Sequence, residues 1–224
     1  LVDELVAKDP ATLSADERRI VDAYRSYMDT AAIEAAGLAQ AQSYLDTIKG
    51  AETLASLVTL WSSPGYATPL GGYVSVDAKQ PDRYSVHLGA GGLGLPDRDY
   101  YLDQSEKMAA IRTAYVAHLE KMLTLAGESD AKARAAALMA FETEIAKVHW
   151  TQIDSRDADK TYNKMTLAQL EQAAPGFDFA GHYAASNLQP ASLLVPHPSA
   201  GPREAARNAK APLQPPTAGP LRSR

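Results

Sequence analysis

Residues 89–102, GAGGLGLPDRDYYL, decide between two very different folds. Gly89-Ala90-Gly91-Gly92-Leu93-Gly94 satisfies the G-x-G-x-x-G pattern. It follows Arg83–Leu88, where β-branched and aromatic residues approximately alternate, as a dinucleotide-binding turn should follow a strand. In that turn the glycines lead directly into a helix whose N-terminus holds the pyrophosphate. Here Leu95-Pro96-Asp97 continues as loop, and no strand–helix–strand unit surrounds it. The stretch reads instead as a glycine-rich loop that lets backbone pass close to other elements or take up positive φ.

Working outward, helical periodicity dominates. Asp103–Ala126 and Asp130–Trp150 repeat apolar residues at helical spacing, with Gly127 as a natural stop between them. Two shorter helices are expected at Leu167–Ala173 and Phe179–Ala185. On the other side of the loop, Gly72–Val76 and Arg83–Leu88 flank the polar segment Asp77–Asp82 and read as one small antiparallel hairpin. Ser62-Ser63-Pro64-Gly65 is a turn signal that separates the hairpin from the first sixty residues. Those carry three helical stretches, Ala15–Asp29, Ala31–Ile48 and Glu52–Trp61, with Lys49-Gly50 ending the second. In the first, Ile20, Val21, Ala23, Tyr24, Tyr27 and Met28 form one stripe, and Ser14 with Glu17 makes a capping box. The expected fold class is mainly α: a helical-bundle lobe with one small antiparallel β-hairpin.

Composition narrows the function. The chain has 224 residues, 46% hydrophobic and 22% charged, enough to bury a core. Zero cysteines exclude disulfides, thiolate zinc sites, iron–sulfur clusters and a cysteine nucleophile. The net charge of −5 argues against a dedicated nucleic-acid binder. No stretch reaches the roughly 18 apolar residues of a membrane span, and LVDELVAKDP has neither half of a signal peptide. A chain that starts on Leu1 rather than Met is expected to begin downstream of a natural start, so the lack of a leader excludes little.

Residues 186–224 differ from the rest. They hold eight of 14 prolines, no aromatic residue, five of 22 basic side chains and one of 27 acidic ones, leaving residues 1–185 with a charge of −9. Such a composition buries too little apolar surface to offset its ordering entropy, so a disordered Pro/Ala-rich tail is expected from Ser186 on, with no sustained PxxP repeat.

Several constellations imitate chemistry. His118-Leu119-Glu120 has the H-x-E of zinc deaminases without the cysteines that site needs. His87, His118, His149, His182 and His197 are followed by Leu, Leu, Trp, Tyr and Pro, so H-E-x-x-H occurs nowhere. Glu142, Glu144 and His149 share one predicted helix, but spacings of five and seven keep the carboxylates off the imidazole's face, and a solvated or structurally bonded role is expected. Asp97, Arg98 and Asp99, beside Tyr100-Tyr101, are expected to pin their loop by charge-assisted hydrogen bonds.

Gly91-Gly92-Leu93-Gly94-Leu95-Pro96-Asp97-Arg98-Asp99-Tyr100-Tyr101-Leu102 resembles the signature loop of the neprilysin and endothelin-converting-enzyme family of zinc metallopeptidases. Thr161-Tyr162-Asn163-Lys164-Met165-Thr166-Leu167-Ala168-Gln169-Leu170 is similar to a second hallmark of that family, at the expected distance. Weaker similarity runs through Tyr24–Asp29, Tyr115–Leu123 and Phe141–Ala146. The resemblance covers roughly residues 1–185, and the lack of cysteine makes the chain look like a bacterial member.

The resemblance implies a two-lobed, mostly helical enzyme enclosing a chamber that admits oligopeptides. Its zinc, held by two histidines and a glutamate, sits in the other lobe, where the glutamate of H-E-x-x-H activates a water. None of those residues transfers to a position here. The expectation is therefore an incomplete amino-terminal region, residues 1–185, that forms chamber wall, binds no zinc itself and is inactive alone. It has no catalytic, cofactor-binding or metal-ligating residues of its own, and its partners are peptide substrates and a missing catalytic lobe. A truncated product or a reading-frame change would give the tail, and the resemblance points to a periplasmic or otherwise extracytoplasmic compartment. The alternative class is a stand-alone helical module that binds peptides or proteins without catalysis.

Overall fold

The computed structural model describes residues 1–198 apart from Pro64, Ala67, Pro69 and Gly176. The chain divides into two compact units, Leu1–Thr47 and Ile48 onward.

In the first unit, α1 (Val2–Ala7) and α2 (Ala15–Met28) are joined through a 3-10 turn, Pro10–Thr12. The predicted capping box is formed: the Glu17 N–H donates to Ser14 Oγ (3.2 Å), and the Ser14 N–H donates to Glu17 Oε2 (2.9 Å). Lys8 pairs with Glu17 at 2.7 Å, and Arg18 and Arg25 donate to the carbonyls of Pro10 and Val6. Leu5, Leu13 and Val21 bury a small core between these elements. The helix predicted over Ala31–Ile48 is broken in two, α3 (Thr30–Ala36) and α4 (Gln42–Lys49). Gly37, at φ +51°, ends α3, a backbone state in which a Cβ would be strained. Ile20, Tyr27, Met28, Ile33, Leu38 and Tyr44 are exposed.

After the end of α4, whose last residues Ile48 and Lys49 already belong to the second unit, comes α5 (Leu54–Trp61), whose Thr53 and Ser56 form another capping box. The predicted hairpin is longer than its periodicity suggests: β1 (Leu70–Asp77) pairs antiparallel with β2 (Gln80–Ala90), with Val74 opposite Val86 and an irregularity at Val76/Asp77. A short helix α6 (Asp99–Leu102) follows the glycine loop. The long helices α7 (Glu106–Leu125) and α8 (Ala131–Val148) then pack on each other as a helical pair. Gly127, at φ +75°, makes the stop between them. Ala135, Glu142, Ile145 and Ala146 recur on the buried face of α8. After α9 (Gln152–Ser155) come β3 (Lys164–Met165), α10 (Leu167–Ala173), α11 (Phe179–Ala185) and β4 (Leu193–Leu194).

The single hairpin expected is therefore half of a four-stranded sheet in the order β1-β2-β4-β3. β4 runs parallel to β2, with Leu193 opposite Val86, and antiparallel to β3, with Leu193 opposite Met165. Two-residue strands carry no periodicity, so sequence pattern could not find them. The boundary at Ser186 also moves. Leu193, Leu194 and Val195 are buried, and the Val195 N–H donates to the Asn163 carbonyl at 2.8 Å. Composition averaged over the segment hid a local apolar triplet, and burying each leucine contributes about 1.5–3 kcal/mol. The rest of the predicted disordered tail, beyond Pro198, lies outside the described residues.

The core of this unit gathers Val58 from α5, Leu70, Val86 and Leu88 from the hairpin, and Leu170, Phe179 and Tyr183 from α10 and α11, with Phe177, Leu193 and Val195. Trp61 stacks on Phe177 at 6.4 Å. Among the described residues no helix is long and apolar enough to cross a membrane.

Candidate functional site

The loop from Gly91 to Asp99 is fastened to the long helix pair by one carboxylate. Glu142, only 6% exposed on α8, accepts from the Tyr101 hydroxyl at 2.6 Å, from the Tyr115 hydroxyl of α7 at 3.0 Å, and from the Gly94 N–H at 3.3 Å. The Leu95 N–H in turn donates to the Tyr101 oxygen at 2.8 Å. A Cβ at Gly94 would lie 1.9 Å from the Tyr115 hydroxyl oxygen and 2.8 Å from its Cζ, so only glycine fits there without displacing the tyrosine. The sequence motif thus has two physical halves: a glycine that permits close approach and a tyrosine that locks the loop. Burial, then the charge and hydrogen bonding of Glu142, pushes the Tyr115 hydroxyl up to about 12. Tyr101 is raised further, by burial first and its bond to Glu142 second. Both remain protonated donors at neutral pH, and the carboxylate they hold is a tether.

The charged end of the loop behaves as the sequence predicts for Asp97. Its carboxylate accepts from the Asp99 N–H at 2.8 Å and from Gln152 Nε2 at 2.6 Å, and so ties the loop to α9. Arg112 of α7 donates to the carbonyls of Tyr100 and Asp103, closing the far side of α6.

The second block is held by another buried carboxylate. Asp77, at the end of β1, is fully buried and accepts from the Lys79 and Gln80 N–H groups (3.0 and 3.2 Å), Ser85 Oγ (3.0 Å) and the Tyr162 hydroxyl (2.8 Å). Lys164 pairs with it at 3.0 Å. Burial alone would raise this carboxyl, but the bonds from Lys164, Tyr162, the Lys79 N–H and Ser85 outweigh it and hold the group well below the usual carboxylate range. Lys164 is raised correspondingly, chiefly by its bond to Asp77. The block then passes into β3, and Thr166 with Gln169 caps α10 in a capping box. Asp77, read from sequence as the first residue of a polar loop, is the anchor that loop turns around.

A cavity of about 550 Å³ opens against the signature loop. Gly91, Leu93, Leu95, Pro96, Asp97 and Arg98 supply one wall. The other comes from the segment after α8, with His149, Trp150, Gln152, Ser155 and Arg156, and from His197. Trp150 stacks on His197 with centroids 5.0 Å apart. His197, two residues beyond Val195, is brought here by the ordering of the segment composition had assigned to the tail.

The other sequence candidates are dispersed. His118 lies on the exposed side of α7, and Glu144 pairs with Lys147. His87 stacks on Tyr73 at 4.8 Å. His182 is buried, which lowers its basicity, and its Nδ1 lies 2.7 Å from Ser62 Oγ. Ser62 Oγ also donates to the Val58 carbonyl at 2.7 Å, so this pair stitches α5 to α11. Among the described residues, no three His, Cys, Asp or Glu side chains come together in a group able to hold a metal.

Comparison with known proteins gives a consistent result. The sequence profile of peptidase family M13 matches residues 1–200, past the point where the resemblance was expected to stop. Endothelin-converting enzyme 1 of Cavia porcellus is 27% identical over 194 residues, covering 80% of this chain and 25% of the relative. Endothelin-converting enzyme-like 1 of Homo sapiens is 34% identical over 104 residues, 46% of this chain and 13% of the relative. The crystal structure of Mycobacterium tuberculosis zinc metalloprotease Zmp1 with an inhibitor superposes with a TM-score of 0.77 at 32% identity, covering 95% of this chain and 33% of that one. PepO of Lactobacillus rhamnosis, at 19% identity and a TM-score of 0.60, shares the fold over 78% of this chain. The chain spans about a quarter of the length of the first curated relatives and a third of the solved Zmp1 chain.

Proposed function

We propose that this chain, which belongs to peptidase family M13, is the amino-terminal portion of a zinc-dependent metalloendopeptidase that cleaves oligopeptides. In this reading residues 1–185 and the strand that follows them form part of the substrate-chamber wall. No residue of the chain is a catalytic, cofactor-binding or metal-ligating group, and the zinc and its ligands belong to a catalytic lobe that this segment partners. The observation that carries the reading is the profile match over residues 1–200, in a chain aligned to a quarter to a third of relatives that include a zinc metalloprotease. The absence of H-E-x-x-H from the sequence supports it. So does the bonding of the two carboxylates. Each accepts from several donors that fix a family block in place, as a structural wall requires.

The alternative, a stand-alone peptide- or protein-binding module, predicts a surface finished for solvent. The exposed Ile20, Tyr27, Met28, Ile33 and Tyr44 favour the first reading, because apolar side chains on successive helices want cover. A hydrophobic fluorescent dye with sizing chromatography separates the two. The chamber-wall reading expects dye binding and self-association of the isolated chain. A compact, dye-silent monomer would favour the module.

A further inference from the structure

The cavity against the signature loop carries positive charge that no ion pair or hydrogen bond among the described residues takes up. Arg98, from the loop, and Arg156, just after α9, both line it, and among the described residues neither side chain makes an ion pair or a hydrogen bond. Arg98 is half-buried, and its Nε is buried without a partner, as is Nδ1 of His197 on the same wall. A buried guanidinium nitrogen with nothing to donate to is costly in an ordinary structural position.

The nearby carboxylates are already taken. Asp97 holds the Asp99 N–H and Gln152, and Asp154, which feels the charge of Arg98, is bonded to Lys160 and Thr151 at 2.7 Å each. The remaining surface suits a small organic body. Leu93, Leu95 and Pro96 supply apolar area, and the Trp150–His197 stack supplies a flat face.

We propose that this cavity is an anion-binding site, with Arg98 and Arg156 as its cationic groups, for a small molecule bearing a carboxylate or phosphate. A guanidinium presents parallel N–H donors that match either oxyanion, and Nδ1 of His197 supplies a further polar contact. Both groups are offered by the same chemistry, so the probes must tell them apart.

The test is titration of the chain with inorganic phosphate and, separately, with benzoate, at ionic strength held constant with chloride, read by calorimetry and by Tm. The site predicts saturable binding of at least one probe. Stronger phosphate binding identifies a phosphate-type ligand, and stronger benzoate binding a carboxylate on an apolar body. Arg98→Gln and Arg156→Gln should each weaken binding by about tenfold, the loss of a charge-assisted pair; Arg156→Gln should leave the anion-free Tm unchanged, and Arg98→Gln, which loses only its attraction to Asp154, should lower it slightly. Arg156 is exposed, so its variant keeps the test readable if Arg98→Gln folds poorly. Absence of saturable binding by either probe, or binding unaltered in Arg156→Gln, overturns the proposal. A marked fall in anion-free Tm for both variants would overturn it too, by showing that the arginines serve the fold.

Discussion

Asp77 and Glu142 solve the same problem with different chemistry. Each is a buried carboxylate that gathers a family block from across the sequence, Asp77 the residues around Tyr162 and Lys164, Glu142 the loop around Gly94 and Tyr101. Asp77 collects two backbone N–H groups, two hydroxyls and one ammonium; Glu142 collects one N–H and two tyrosine hydroxyls. Charge compensation at Asp77 is therefore local, whereas Glu142 is stabilised by neutral dipoles alone. The lesson is that a buried carboxylate is no sign of acid–base work when three or more donors, some of them from distant parts of the chain, already hold it in place.

Removal of each carboxylate tests that contrast most severely. Asp77→Ala should give the largest fall in Tm, because five donors lose their acceptor together, and thermal unfolding by circular dichroism reads it. Glu142→Gln should cost less, about 1.5–3 kcal/mol for the loss of charged hydrogen bonds. It should also bring the Tyr115 hydroxyl down from about 12 toward its ordinary 10.0, visible in tyrosinate absorbance. An equal cost for the two variants would break the comparison.

Gly94→Ala should cost about 1–3 kcal/mol through the clash with Tyr115. Tyr115→Phe, which removes the clashing oxygen, should recover part of that loss, so the double variant should fall short of additivity. Additive effects would mean the loop has another reason for its glycine.

Acid behaviour sharpens the difference. The folded-state carboxyl of Asp77 lies below its ordinary 3.8, so near that pH the unfolded chain binds the proton more readily. The associated stability is complete above about pH 5 and is lost as pH falls through the ordinary carboxylate range toward the folded value. Asp77→Asn should flatten the acid limb of the stability profile. The smallest effect belongs to Gln152→Ala, which breaks an exposed bond to Asp97 and should shift stability by no more than about 0.5 kcal/mol.

The helices were legible because their signals are local: Ser14 with Glu17, Gly127 as a stop, and apolar stripes with a period the chain itself carries. Both family blocks were legible as strings of residues, but not what they hold on to. Glu142 was readable only as solvated or structurally bonded, since its partners Tyr101 and Tyr115 lie 41 and 27 residues away and meet it only once α7 packs on α8. Asp77 looked like loop polarity because burial at a hairpin turn depends on Tyr162, 85 residues on. β4 was missed because composition was averaged over a Pro-rich segment, when the deciding feature was the triplet Leu193-Leu194-Val195 pairing with β2 and β3. The weaker similarity around Tyr115 and Phe141–Ala146 was the one available hint that these helices carry partners of the signature loop.

The central claim, a wall segment whose chemistry lies elsewhere, is tested most directly by hydrolysis of a quenched fluorescent peptide by the purified chain with added zinc, with and without a chelator, alongside metal analysis. The account predicts no chelator-sensitive cleavage and no stoichiometric zinc. Zinc retained at one equivalent, with cleavage that the chelator abolishes, would contradict it.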